Sequence, residues 1–98
     1  MADPNKIIHQ PVRLKICAAL SQLNRNEYLD FPQLKKMLKV TDGNLGSHLA
    51  TLEEVGYIEL AKEFKDKKPS TSAKLTANGR KAFNEHLNFL RAIVEEGS

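Results

Sequence analysis

Residues 31–56, FPQLKKMLKVTDGNLGSHLATLEEVG, decide how this chain is read. Pro32 suits the first turn of a helix, where an N–H has no intrahelical partner to lose. Phe31, Leu34, Met37 and Leu38 then share one helical stripe. The stripe stops at Val40, and Thr41 and Asp42 are both residue types that cap a new helix. From there Leu45, Leu49, Leu52 and Val55 recur at helical spacing as one apolar face. Gly56 stands where a helix commonly closes on a left-handed residue. A short helix, a tight turn and a longer helix make a helix-turn-helix.

The outward face of the second of these helices carries Thr41, Asp42, Gly43, Asn44, Gly46, Ser47, His48 and Thr51. Small residues let a helix approach a surface closely, and Asn, Ser, His and Thr can hydrogen-bond base edges or phosphate oxygens. An idle solvated face would favour Glu, Lys, Gln and Ala, the strong helix formers. Two glycines early in a helix cost about 1 kcal/mol each relative to alanine. Either the glycines serve the turn and close helix packing, or the face is kept small for a ligand.

Ninety-eight residues make one domain. No run reaches the length of a bilayer span, and MADPNKIIHQ lacks the apolar core of a signal peptide. Cys17, the one cysteine, excludes an internal disulfide and a multi-cysteine zinc site. These features predict a soluble, cytoplasmic protein without metal or cofactor. Net charge is +3, distributed unevenly: residues 31–82 hold ten Lys/Arg against six Asp/Glu, while residues 83–98 hold one against three. The basic excess therefore lies in the helix-turn-helix and the segment just beyond it, as a polyanion partner would require.

Before that motif, residues 1–10 read as a loose arm with Ile7 and Ile8 docking, and His9 as a surface residue. Pro11 opens a helix whose stripe is Val12, Ile16, Ala19, Leu20 and Leu23, widened by Leu14 and Cys17. Cys17 reads as a small core residue. Tyr28 to Phe31 fit a short extended segment. Beyond Gly56 the period changes to two: Ile58, Leu60 and Phe64 alternate with charged residues, and Thr71, Ala73 and Leu75 alternate after Lys65-Asp66-Lys67-Lys68-Pro69-Ser70. This is a hairpin over 57–75 with a six-residue basic tip, a wing. Lys65, Lys67, Lys68 and Ser70 are its candidate phosphate contacts, although edge lysines also serve to block sheet aggregation.

Thr76 caps a last helix over 76–95. Phe83, Leu87, Leu90 and Val94 form one stripe, and Ala82, His86, Phe89 and Ile93 a second. Two stripes exceed what one small domain can cover, which predicts a homodimer through Leu14, Phe83, His86, Leu87, Phe89, Leu90, Ile93 and Val94. The predicted fold is mainly α with a small β-hairpin: a winged helix-turn-helix of order α-α-α-β-β-α in one domain over 1–98, with a long C-terminal dimerisation helix.

In this order the motifs resemble the winged helix-turn-helix transcriptional regulators of the MarR/ArsR type. The likeness rests on Val12 to Ile16, on Thr41 to Leu49, on Leu52 to Ile58, on Lys67 to Thr71 and on Leu75 to Arg80. It implies a homodimer on double-stranded operator DNA, contacting it through Asp42, Asn44, Gly46, Ser47 and His48 and through wing Lys67 and Lys68. Gly46 stands where the family often has a hydrogen-bonding residue. The cysteine pairs of metal-sensing members are absent, and the chain supplies too few helices for the effector pocket of drug-sensing members. An effector is therefore not indicated.

Other functions fit less well. Ser47 and His48 are adjacent on a helix and do not face each other, so they make no nucleophile–base pair. With no glycine-rich phosphate loop either, the chain is not expected to be an enzyme and has no candidate catalytic residue. A protein-interaction module on the same fold would show aromatic or aliphatic anchors on the recognition face. A sequence-specific RNA reader would show stacking aromatics in the wing.

Overall fold

The computed structural model describes residues 5–97. Each of its four helices starts where a side chain can accept a backbone N–H. Gln10 accepts from Arg13 N at the head of α1 (Pro11–Ser21), with Pro11 in the first turn. Asp30 accepts from Gln33 N at 2.9 Å, and Gln33 returns a contact to Asp30 N, a capping box for α2 (Phe31–Leu38). Thr41 accepts from Asn44 N at 3.1 Å to start α3 (Asp42–Glu54), and Thr76 accepts from Gly79 N at 3.0 Å to start α4 (Ala77–Glu96). Such a cap stabilises its helix by roughly 1 kcal/mol.

The turn between α2 and α3 is tight because Lys39 adopts a left-handed backbone, φ 54°. At the other end of α3, Gly56 has φ 82°. Tyr57 N donates to Leu52 O and Gly56 N to Glu53 O, the paired bonds of a Schellman motif. This stop reverses the chain directly into the sheet.

The sheet has three antiparallel strands in the order β1-β3-β2, from β1 (Leu29–Asp30), β2 (Ile58–Lys65) and β3 (Lys68–Leu75). The extended segment before α2 is thus a strand, with Leu29 opposite Ala73. The β2–β3 hairpin is tighter than a six-residue tip: Lys65 pairs with Lys68, leaving only Asp66 and Lys67 in the turn. Both have positive φ, 51° and 65°, the geometry that matches the right-handed twist of strands. Neither Gly nor Asn marks the turn, so the sequence pattern hides it. Pro69 sits one step from the closing pair, opposite Phe64. Pair types alternate along an antiparallel ladder, so its missing donor falls outside the hairpin bonds.

Ile8, Ile16, Cys17, Leu20, Leu34, Leu45 and Leu52 are fully buried in one core, closed by Leu49, Ile58, Ala73, Leu75, Ala82 and Phe83. Burying each large aliphatic side chain stabilises the fold by roughly 1.5–3 kcal/mol. The α3 stripe therefore ends at Leu52, and Val55 is exposed. Burial pushes the Cys17 thiol up to about 12, so it stays protonated and serves as packing.

Two expectations are corrected. The arm is not loose from residue 5 onward: Asn5 Oδ1 accepts from Ile7 N and Ile8 N, its Nδ2 donates to the Tyr57 hydroxyl, and Ile8 is fully buried. Residues 1–4 lie outside the described part of the chain. Phe83 and His86 do not await a second copy. They are 4% and 2% exposed within this chain, because the first half of α4 docks on α1 and β3. Leu14 and Leu87 are half-buried against the same core. His86 instead meets His9, whose Nδ1 lies 3.4 Å from His86 Nε2, and Phe89 stacks on it. Burial and the neighbouring His9 hold His86 below the usual histidine range.

Candidate nucleic-acid interface

With Leu45, Leu49 and Leu52 turned inward, the remaining positions of α3 are outward or flanking by helical geometry. Thr41, Asp42, Gly43, Asn44 and Ser47 are exposed; Gly46, His48 and Thr51 are half-buried at the flanks. Ala50 is also exposed, one turn beyond Ser47 and two beyond Gly43 on the same face. The ridge of α3 is thus built from Gly43, Ser47 and Ala50, which extend almost nothing beyond the backbone. A Cβ built on Gly43 or Gly46 meets no atom within 4 Å. Neither a turn nor a packing contact requires a glycine at these two positions: the fold leaves this space open.

Local bonds assign each polar residue a geometry. Lys35 Nζ lies 2.7 Å from Asp42 Oδ1, joining α2 to the start of α3. Both side chains are exposed, so this pair adds little stability, but it neutralises the carboxylate nearest the recognition face. Thr51 donates its hydroxyl to Ser47 O at 3.2 Å. His48 is drawn to one flank, with its Nδ1 3.2 Å from Arg13 Nη1 on α1. The same guanidinium donates through Nε to Ile7 O at 2.6 Å. In the sequence Arg13 reads as one more cation on a short helix; only the fold brings it beside α3.

The wing rises from the end of α3. Ile58, at its root, is buried, whereas Lys62 to Pro69 are all exposed. The lysines 65, 67 and 68 cluster at the Asp66-Lys67 turn, and Ser70 sits half-buried below them. Phe64 is 80% exposed and lies across from Pro69, an apolar side chain on the otherwise basic ribbon. Alternation places it on the core side with Ile58 and Leu60. The ribbon outruns the core before reaching it, a length that periodicity does not register. On the opposite face Tyr28 donates its hydroxyl to Glu59, and Lys74 lies over the Tyr28 ring at 5.0 Å. Lys74 is thereby held at the base of the wing.

Among the described residues no three His, Cys, Asp or Glu side chains are grouped to hold a metal ion, and no helix is long and apolar enough to cross a membrane.

Residues 12–94 match the model of the winged helix DNA-binding domain. An uncharacterized protein of Methanocaldococcus jannaschii is 43% identical over 82 residues, covering 84% of this chain and 86% of that one. A transcriptional regulator homologue from Pyrococcus horikoshii OT3 has a solved structure similar to this one, with a TM-score of 0.82 and 32% identity over 92% of this chain and 86% of that chain. FabT from Streptococcus pneumoniae, solved in complex with DNA, is 26% identical with a TM-score of 0.60, covering 92% of this chain and 64% of that chain. The element order, the three-stranded sheet and the long last helix are those of winged-helix transcriptional regulators.

Proposed function

The chain belongs to the winged helix DNA-binding domain family, and from that membership we propose that it is a sequence-specific, homodimeric transcriptional regulator acting on double-stranded DNA. In this reading α3 lies in the major groove with Asn44, Ser47 and His48 toward base edges. Gly43, on the ridge, lets the backbone come close to the groove, Thr41, Gly46 and Thr51 lie at its walls, and Asp42 stays neutralised by Lys35. Lys65, Lys67, Lys68 and Ser70 of the wing lie on flanking phosphates or in the minor groove.

The observation that carries the reading is the emptiness around Gly43 and Gly46. A residue that weakens its helix and fills no packing need is best explained by a surface that comes close from outside. Gly46→Ala should therefore raise stability by up to about 1 kcal/mol, because alanine is the better helix former and meets no neighbour. Gly46→Leu should keep the fold and weaken duplex binding. Thermal unfolding together with titration of a duplex selected from a random pool checks both. A leucine variant that binds like the native chain would move the recognition face elsewhere.

Dimerisation is carried by the part of α4 that the core leaves free. Phe89 and Leu90 are half-buried, while Ile93 and Val94 are 49% and 71% exposed. Every residue from Arg91 to Gly97 is exposed. Two such helices packed together would bring two recognition helices to successive turns of a palindromic site, roughly 34 Å apart. Ile93→Asp with Val94→Asp should then give a monomer in sedimentation with the fold intact, since neither residue belongs to the core. A doubly substituted chain of unchanged mass would place the interface elsewhere.

A further inference from the structure

We propose that Arg13, on α1, fixes His48 of the recognition helix as the Nε2–H tautomer, making it a hydrogen-bond donor that selects acceptor edges in the major groove. The inference rests on the DNA-binding reading above and deepens it, since it states what His48 reads.

A guanidinium has five N–H donors and no acceptor, and it does not lose its proton in proteins. Arg13 Nη1 lies 3.2 Å from His48 Nδ1, so that nitrogen must be the acceptor and carries no hydrogen. The one remaining proton of a neutral imidazole is then on Nε2. Protonating both nitrogens would set an imidazolium N–H against a guanidinium N–H, with two positive charges in contact. Burial, with the Arg13 charge added to it, accordingly holds His48 below the usual histidine range.

Arg13 is itself held. Its Nε donates to Ile7 O at 2.6 Å, in the turn that Asn5 organises and that Ile8 anchors in the core. The guanidinium is therefore positioned by the arm and positions the imidazole in turn. His48 Nε2 has no partner within the described residues, and it is not among their buried, unpaired atoms. A donor is left open to whatever approaches that flank of α3.

In the major groove such a donor matches guanine O6 and N7, adenine N7 and thymine O4, and it opposes the amino group of cytosine. As a neutral group it displaces no counterion, so it adds discrimination without adding salt dependence. A histidine free to change tautomer would present a donor or an acceptor to suit either edge. Arg13 is thus a positioning residue for specificity, in a helix that would not itself enter the groove.

The test needs two measurements on the full chain. Long-range ¹H–¹⁵N correlation spectra of the free protein should show His48 as a single Nε2–H tautomer, and Arg13→Met should convert it to a mixture. With a selected duplex and its single-base-pair variants, His48→Ala and Arg13→Met should each lower discrimination about tenfold at the same base pair. The double variant should do no worse than His48→Ala alone, and the slope of log affinity against log salt should not change. Discrimination is a ratio within one preparation, so a partly unfolded variant does not distort it.

An Nδ1–H tautomer in the native chain, a tautomer indifferent to Arg13, or equal losses on every duplex would each overturn the proposal. If the native chain bound no duplex at all, the DNA-binding reading and the role of His48 would both fall. The spectra would still report whether Arg13 sets the tautomer.

Discussion

Replacing Gly79 by alanine is expected to destabilise the fold by about 3 kcal/mol or more, a loss that overpacking against a fixed neighbour can reach. A Cβ built on Gly79 would stand 1.9 Å from Tyr57 O, 2.7 Å from its carbonyl carbon and 2.9 Å from its Cα. All three are backbone, so no side chain can swing aside. The same carbonyl accepts from Thr76 N at 3.0 Å, and the Thr76 hydroxyl donates to Gly56 O at 2.6 Å while capping α4 through Gly79 N. A single methyl group therefore pushes the first turn of α4 away from the end of α3 and the start of the wing. In a domain of this length the midpoint of thermal unfolding should fall by on the order of 15 °C. Circular dichroism would measure it. A shift of only a few degrees would show that α4 can slide without cost, and that the joint among α3, wing and α4 is softer than its contacts imply. Gly46→Ala provides the opposite sign in the same assay, since that added methyl meets nothing.

The second large effect is expected on DNA. Lys67→Ala with Lys68→Ala should weaken binding to all duplexes alike. It should also reduce the slope of log affinity against log salt by about 1.8, at roughly 0.9 for each phosphate no longer neutralised. Both lysines are exposed at the hairpin tip. Their removal should therefore leave stability nearly unchanged, since alanine keeps the same Cβ at the left-handed Lys67 position. Filter binding or fluorescence anisotropy across a salt series reads both quantities. Full affinity with an undiminished slope would mean that the wing lies clear of the duplex, and that its lysines only protect a sheet edge. The pattern differs from the one expected at His48, where discrimination falls and the slope holds.

Much of the fold was legible because its signals are local. The Leu45, Leu49 and Leu52 stripe, the Thr41 cap and Gly56 at the stop each act within a few residues, and each stands in the structure where its spacing puts it. That a hairpin lies here followed from alternation in Ile58 to Phe64 and in Thr71 to Leu75. The tip did not, because Asp66 and Lys67 take positive φ without the Gly or Asn that usually announces it. The double stripe of α4 was legible as apolar surface. Its division was not: periodicity cannot say that Phe83 and His86 are covered by α1 and β3 while Ile93 and Val94 are left bare.

Within the candidate site the same line separates residue types from their states. The amino-acid order by itself determined that α3 would expose a small, polar ridge and that lysines would gather on a ribbon beside it, since both follow from spacing along one element. Only the tertiary structure decided that Asp42 is neutralised by Lys35, that Gly79 has no room for a methyl while Gly46 has ample room, and that His48 faces Arg13 across thirty-five positions of chain. Those outcomes depend on distances between elements that share no local pattern. Chain folding sets them when helices of fixed shape settle on a common core.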